Sequence, residues 1–250
     1  MSSNELILLI LVFLATSFVG VVTGSNSLIA VPVMFQFGVD PKVAVATNMF
    51  GLVFMSIGGT IPFLKKGTID MRKISPLLVL TLISSAIGAG LVGLISNAII
   101  KLIVSVAMIL VAVFILVKRD AGVDELVQVS RRSLIVTFVL TFLLGIYGGI
   151  FSGGYVTILT AVLVAFFGMQ FTEAVASTKL INVVSSAIAT LVFMWQGLVD
   201  YSLGIILGVT MFVGAYIGAH YATKLNDVWL KRIFLTTVFV LAIKTLYDFI

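Results

Sequence analysis

Lys179 is the residue whose type and setting point most directly to chemistry. It stands in the run Ala174-Val-Ala-Ser-Thr-Lys-Leu-Ile-Asn182, in a chain of which 61% of residues are hydrophobic and 10% charged. Counted from a helix beginning near Thr172, it lies about two turns in. A lysine near the middle of a membrane helix costs roughly 2.5–3.5 kcal/mol on insertion scales. Such a cost calls for a counter-ion, an oxyanion or a carboxylate. Snorkelling to the interface or pairing with Glu173 are the bland alternatives. Ser177, Thr178 and Asn182 flank the lysine, and Thr47 and Asn48 end the related string Ala44-Val-Ala-Thr-Asn48. Their hydroxyls and amides are neutral donors suited to sulfur or carboxylate oxygens.

A second set of residues lies where apolar runs are interrupted. Gly24, Ser25, Asn26 and Ser27, followed by Pro32, interrupt one run; Ser152, Gly153 and Gly154 interrupt another. Glycine and proline weaken a helix. Broken backbone at membrane depth survives only where it is buried in protein or lines a wet cavity. There, backbone N–H groups and positive dipole ends attract anions. Gly24, Gly153 and Gly154 let an anion approach bare backbone, and Ser25, Asn26, Ser152 and Thr157 add neutral donors. Helix packing and recapping of the break are the alternative roles.

Two titratable groups are candidates for proton coupling. Glu173 stands at an expected helix start, where an acid is favourable in any case. His220 lies near the end of an apolar stretch, where a neutral packing histidine is the default and a proton relay the alternative. Ser152 and His220 are the one pair that could form a hydrolytic dyad. The local string Gly149-Ile-Phe-Ser-Gly153 lacks the G-x-S-G form, and no third orienting group is evident. The chain has no cysteine and one histidine, which removes thiol chemistry and makes a zinc site improbable. No P-loop string is present, so ATP-driven pumping by this chain alone is excluded. No cofactor, no catalytic residue and no metal ligand is expected.

The elements that must position these residues are membrane helices. Soluble domains carry about 25% charged residues, far above the value here. Apolar runs near or above the ~20 residues needed to span a bilayer cover about 43–64, 75–95, 99–117, 134–151, 180–199, 203–222 and 229–247. The fold class is therefore all-α integral membrane, with eight to ten membrane segments. The N-terminus MSSNELILLI lacks a basic region and reads as a first membrane helix. The net charge of +5 reflects loop topology, and no basic stripe invites nucleic acid.

The sequence matches itself without gaps at an offset of 130 residues. Gly24 falls on Gly154, Gly38 on Gly168, Gly67 on Gly197, Asp70 on Asp200 and Gly88 on Gly218. Lys179 falls on Met49, so its charge exists once. Two homologous halves follow, 1–120 and 131–250, joined by a cytoplasmic linker at 121–130. Each half is expected to hold a broken-helix hairpin and three transmembrane helices. Asp40-Pro41 reads as an N-cap acid followed by proline at the first helical position. Asp70 and Asp200 read as turn or cap residues. Small-residue pairs such as Gly214/Gly218 suit close helix contacts. If the halves are inverted, the two membrane faces carry eleven and two basic residues outside helices; if parallel, eight and five. The positive-inside rule favours inversion. The hairpin tip then falls at Thr23–Ser27, and the broken helices meet near the bilayer midplane, as in secondary transporters.

The motifs resemble those of the TauE/SafE group of sulfite and organosulfonate transporters. They are Gly20 and Gly24 with small residues between, the segment Leu28 to Pro32, and Gly38 followed by Ala44-Val-Ala-Thr-Asn48. Gly148-Gly-Ile-Phe-Ser-Gly-Gly154 and Ala174-Val-Ala-Ser-Thr-Lys179 repeat them. The likeness covers both halves. It implies carriage of sulfite, a sulfonate or a related oxyanion, often outward, across a plasma (inner) membrane. TGSNS at 23–27 departs from the more glycine-rich pattern. The expected partners are a small anionic substrate and the lipid bilayer, with homo-oligomerisation left open. An intramembrane hydrolase and an anion channel are the competing functions.

Overall fold

The computed structural model describes residues 3–24, 26–117 and 129–221. Among them the chain is helical throughout: α1 (Ser3–Thr23), α2 (Ser27–Gln36), α3 (Pro41–Lys65), α4 (Met71–Leu94), α5 (Asn97–Val117), α6 (Arg131–Ile150), α7 (Tyr155–Phe167), α8 (Phe171–Trp195) and α9 (Tyr201–Tyr221). Six of these, α1, α3, α4, α6, α8 and α9, are long and apolar enough to cross a bilayer. The linker up to residue 128 and the apolar run at 229–247 lie outside the described residues.

Local chemistry sets the helix starts. The Asp40 carboxylate accepts from Lys42 N at 3.0 Å and Val43 N at 3.3 Å, with Pro41 inside the first turn. Asp70 does the same for Arg72 N and Lys73 N, and Asp200 accepts from Leu203 N at 3.0 Å. The cap assignments therefore hold. Each satisfies amide donors that no intrahelical carbonyl reaches. Pro32 does not interrupt its segment, contrary to the expectation. It sits inside α2, as Pro62 and Pro76 sit inside α3 and α4. One missing N–H is tolerated where neighbouring helices support the ladder. The break is made upstream by Gly24, whose φ of +74° a side chain rarely adopts.

Helix directions follow from named contacts. Asp200 N donates to Thr47 Oγ1 at 3.0 Å, and Tyr201 meets Phe50 edge-on. The start of α9 thus lies beside the start of α3. Gln196, after α8, donates to Ala89 O and Gly90 O near the end of α4, and Lys42 Nζ donates to Gly93 O. At the opposite face Lys73 pairs with Glu173 at 3.1 Å, joining the starts of α4 and α8. Hence α3 and α8 run in opposite directions, as do α4 and α9. Gly214 packs on Leu14 and Ser17, and Gly218 on Phe18 and Val21, so α1 runs parallel to α9. Gly145 on Ser84 and Gly149 on Ser85 place α6 parallel to α4. A Cβ on Gly149 or Gly88 would collide with backbone carbonyls of Ser85 or Ile146, the close approach small residues permit.

It follows that α1 enters from the face where α3 starts, and α2 returns to it. Likewise α6 enters from the face where α4 starts, and α7 returns there, with Ser133 Oγ donating to Phe166 O. Two hairpins of opposite sense are thus embedded in the bundle. α3 and α8 cross between them and are the most buried of the long helices, at 72% and 56% of their apolar windows.

Candidate functional site

The hairpin tips meet. Ser27 Oγ of the first break lies 2.9 Å from Ser152 Oγ of the second. Gly24 packs on Val156 and Thr157, and Gly153 on Leu28. Asn48 of α3 donates its amide N–H to Ser27 Oγ at 2.8 Å, fixing the first tip to the central helix. Beneath the tips is a cavity of about 20 Å³, enough to hold a water with little to spare. Gly20, Gly24, Asn26 and Ser27 line it from the first hairpin, and Ser152 and Val156 from the second. Leu52, Met55 and Ser56 of α3 and Lys179 and Asn182 of α8 close it.

Three polar groups at this cavity are under-satisfied. Lys179 is 5% exposed, and among the described residues no carboxylate pairs with it. Asn26 is 3% exposed, and neither atom of its amide has a partner. Asn182 donates to Ser56 Oγ at 2.6 Å, which leaves its carbonyl oxygen free. Buried polar groups are ordinarily hydrogen-bonded, so these are conspicuous. Together they offer one cation, one amide donor and two amide acceptors, with hydroxyls alongside. No carboxylate lines the cavity.

Of the residues singled out in the sequence, Gly24, Asn26, Ser152, Lys179 and Asn182 come together here. Asn48 stands one layer behind, through Ser27. Ser25 lies outside the described residues. Gly153 and Gly154 do not face the cavity. The Gly153 carbonyl accepts from the Tyr147 hydroxyl, and a Cβ at Gly154 would overlap Val111. Their bareness serves the turn, with Gly154 at φ +80°, and the packing around it. Thr47 holds the start of α9, as described. Thr178 bonds Thr160 at 3.0 Å, and Ser177 is buried away from the cavity lining. Glu173 does not reach Lys179; it is the partner of Lys73, which also sits 5.7 Å from the Phe167 ring centre. His220 is exposed in the last turn of α9, while Ser152 is buried and bonded to Ser27. No nucleophile–base pair is assembled from them. Ser56 and Ser27 went unassigned from sequence. Ser56 lies eight residues after Asn48, two turns along the same face of α3, which was the available signal.

Comparison with known proteins agrees with this architecture. The family model for the sulfite exporter TauE/SafE matches residues 8–245. A probable membrane transporter protein, ORF9, of Sinorhizobium is 26% identical over 235 residues, 92% of this chain and 88% of that one. One of Haemophilus influenzae is 24% identical over 243 residues, covering 97% and 95% of the two chains. The YfcA protein of Escherichia coli K12, also a probable membrane transporter, is 25% identical over 249 residues, covering 98% and 91%. No solved structure matches. With a family model spanning nearly its whole length and six helices able to cross a bilayer, the chain belongs to the sulfite exporter TauE/SafE family, as a multi-pass membrane transporter and not an enzyme.

Proposed function

We propose that this transporter carries a small anion, a sulfite, a sulfonate or a related organic oxyanion, outward across the plasma (inner) membrane. The binding site is the cavity between the two hairpin tips. One observation carries this: a buried ammonium without a counter-ion, Lys179, faces the same cavity as a buried amide without partners, Asn26. An anion supplies a counter-charge for the ammonium and an acceptor for the Asn26 amide N–H, and the tips of the two breaks bring backbone dipole ends toward it. With so little room in the cavity, the walls must part for an oxyanion to bind.

The two halves, 1–120 and 131–250, act as an inverted pair around this site, joined by a cytoplasmic linker at 121–130. Supporting this, all six positive-φ glycines of the described residues fall into three pairs 130 residues apart: Gly24/Gly154, Gly38/Gly168 and Gly67/Gly197. Equivalent helices α3 and α8 run in opposite directions. Lys65, Lys66, Arg72, Lys73, Arg131 and Arg132 lie at the face where α4 and α6 start; Lys42 and Lys101 lie at the other. The positive-inside rule makes the first of these cytoplasmic. With the interior negative, each exported negative charge gains ~2.3 kcal/mol per 100 mV, a drive of roughly 50-fold for a monoanion.

The test is flux in proteoliposomes loaded with sulfite, ethanesulfonate or acetate under an imposed potential. Saturable, potential-driven efflux of the sulfur oxyanions is the expected result. Equal, non-saturating conductance for all three would replace a carrier by a channel.

A further inference from the structure

A second polar cluster lies outside the cavity, where α4, α6, α7 and α8 meet. The hydroxyls of Ser85 and Ser185 are 2.7 Å apart, and Ser85 donates to Gly145 O at 3.1 Å. The Tyr155 hydroxyl lies beside those of Thr81 and Ser185, yet completes a hydrogen bond with neither. Thr81 Oγ1 is also without a partner, and both residues have zero exposure. Thr60, Thr137, Thr160 and Thr210 each satisfy their hydroxyl on the carbonyl four residues back. Thr81 turns away from that local option. Neutral oxygens from four helices converge here in a lipid-embedded core, where unsatisfied polar groups are costly.

The fold does not demand a polar cluster at this place. The positions 130 residues from Thr81, Ser85 and Ser185 are Met211, Ala215 and Met55, all buried. At these three positions the other half carries apolar side chains, while Tyr155 matches Ser25. Three hydroxyls present in one half only parallel the single Lys179 and point to a task other than folding.

We infer that this hydroxyl cluster is a binding site for a small alkali cation, Na⁺, held by the oxygens of Thr81, Ser85, Tyr155, Ser185 and the Gly145 carbonyl. Hard cations take oxygen ligands, and transporters hold Na⁺ on neutral oxygens beside broken helices. A neutral ligand set leaves the cation's charge uncompensated, so a nearby anion stabilises it. The anion cavity is close: Tyr155 N donates to Ser152 O at 3.1 Å across the Gly153–Gly154 turn, and Ser185 follows Asn182 by three residues, about one turn of α8. Each ion then raises the other's affinity by the same factor; this coupling, unlike the cation site itself, rests on the anion site proposed above.

The experiment uses the purified full chain and keeps chloride constant. Binding of ²²Na⁺ by equilibrium dialysis and melting temperature are compared in NaCl, KCl and choline chloride. Saturable Na⁺ binding with stabilisation over choline is expected in the native chain. Thr81→Val and Ser185→Ala are expected to weaken Na⁺ binding tenfold or more; melting in choline shows whether each variant folds, and either folded variant decides. Lys179→Met is expected to keep Na⁺ binding while losing the anion, so failure of the anion site is read separately. Absence of saturable Na⁺ binding in the native chain overturns the inference. So does undiminished binding in a folded variant, which leaves water as the occupant of the cluster.

Discussion

Replacing Lys179 by methionine pulls stability and function in opposite directions. The ammonium is 5% exposed, has no carboxylate partner among the described residues, and stands eight residues into α8. That is about 12 Å along the helix, well inside the hydrocarbon. Burying a lysine at the helix centre costs roughly 2.5–3.5 kcal/mol; nearness to a hydrated cavity lowers that, and about 2 kcal/mol is a fair figure for the gain when methionine replaces it. At roughly 2–4 °C per kcal/mol for a domain of this size, the ligand-free variant melts about 4–8 °C higher. A charge-assisted hydrogen bond to a bound oxyanion is worth about 1.5–3 kcal/mol, so anion affinity falls roughly 10- to 150-fold. Melting curves in detergent and isothermal titration with sulfite or ethanesulfonate read the two quantities on one preparation. A variant that melts lower with unchanged affinity would show that Lys179 holds the fold and not a ligand.

The Lys73–Glu173 pair ties the start of α4 to the start of α8. A double-mutant cycle with Lys73→Met and Glu173→Gln should give a coupling of about 1 kcal/mol, since both partners are partly solvated; zero coupling in melting and transport alike removes the pair as a tie. A Cβ at Gly149 collides with the Ser85 backbone, whereas one at Gly90 meets nothing within 4 Å; Gly149→Ala should abolish folded expression and Gly90→Ala leave it intact, read by size-exclusion profiles. Single cysteines at 68 and 198 of this cysteine-free chain should label from opposite faces of the membrane, 68 from the cytoplasm. Labelling of both from one face defeats the inverted arrangement.

Much of the fold was legible because lipid leaves the sequence few choices. The apolar runs gave α3, α4, α5, α6 and α9 nearly as found, that of α8 began nine residues late because its first turns are polar, and Asp40, Asp70 and Asp200 announced three helix starts through cap chemistry. The offset of 130 anticipated the paired glycine turns. Pro32 misled, because local propensity said break where tertiary support allowed a helix. At the site, composition pointed to Lys179, Asn26 and Ser152, since a polar group in lipid must have a reason. It could not rank their neighbours. Thr47 and Asn48 are adjacent in sequence but point about 100° apart around α3, one to the start of α9 and the other to Ser27. Gly153 and Gly154 looked like an anion cradle, yet their missing side chains make room for Phe151, Leu28 and Val111. Which face of a helix meets which partner is set by packing between distant segments, and that information is not local.

The two hairpin tips touch through neutral hydroxyls, Ser27 against Ser152. An ion pair in the same place would have glued the two hairpins together at membrane depth. A single hydroxyl bond is worth only about 0.5–1.5 kcal/mol net, so the polar part of the seam, beside the van der Waals contacts of Gly24 and Gly153, biases closure only about tenfold. On the anion transport proposed above, this weak polar tie suits repeated parting, and an arriving oxyanion would take over both hydroxyls as the gap widens, so that opening and loading would proceed as one event.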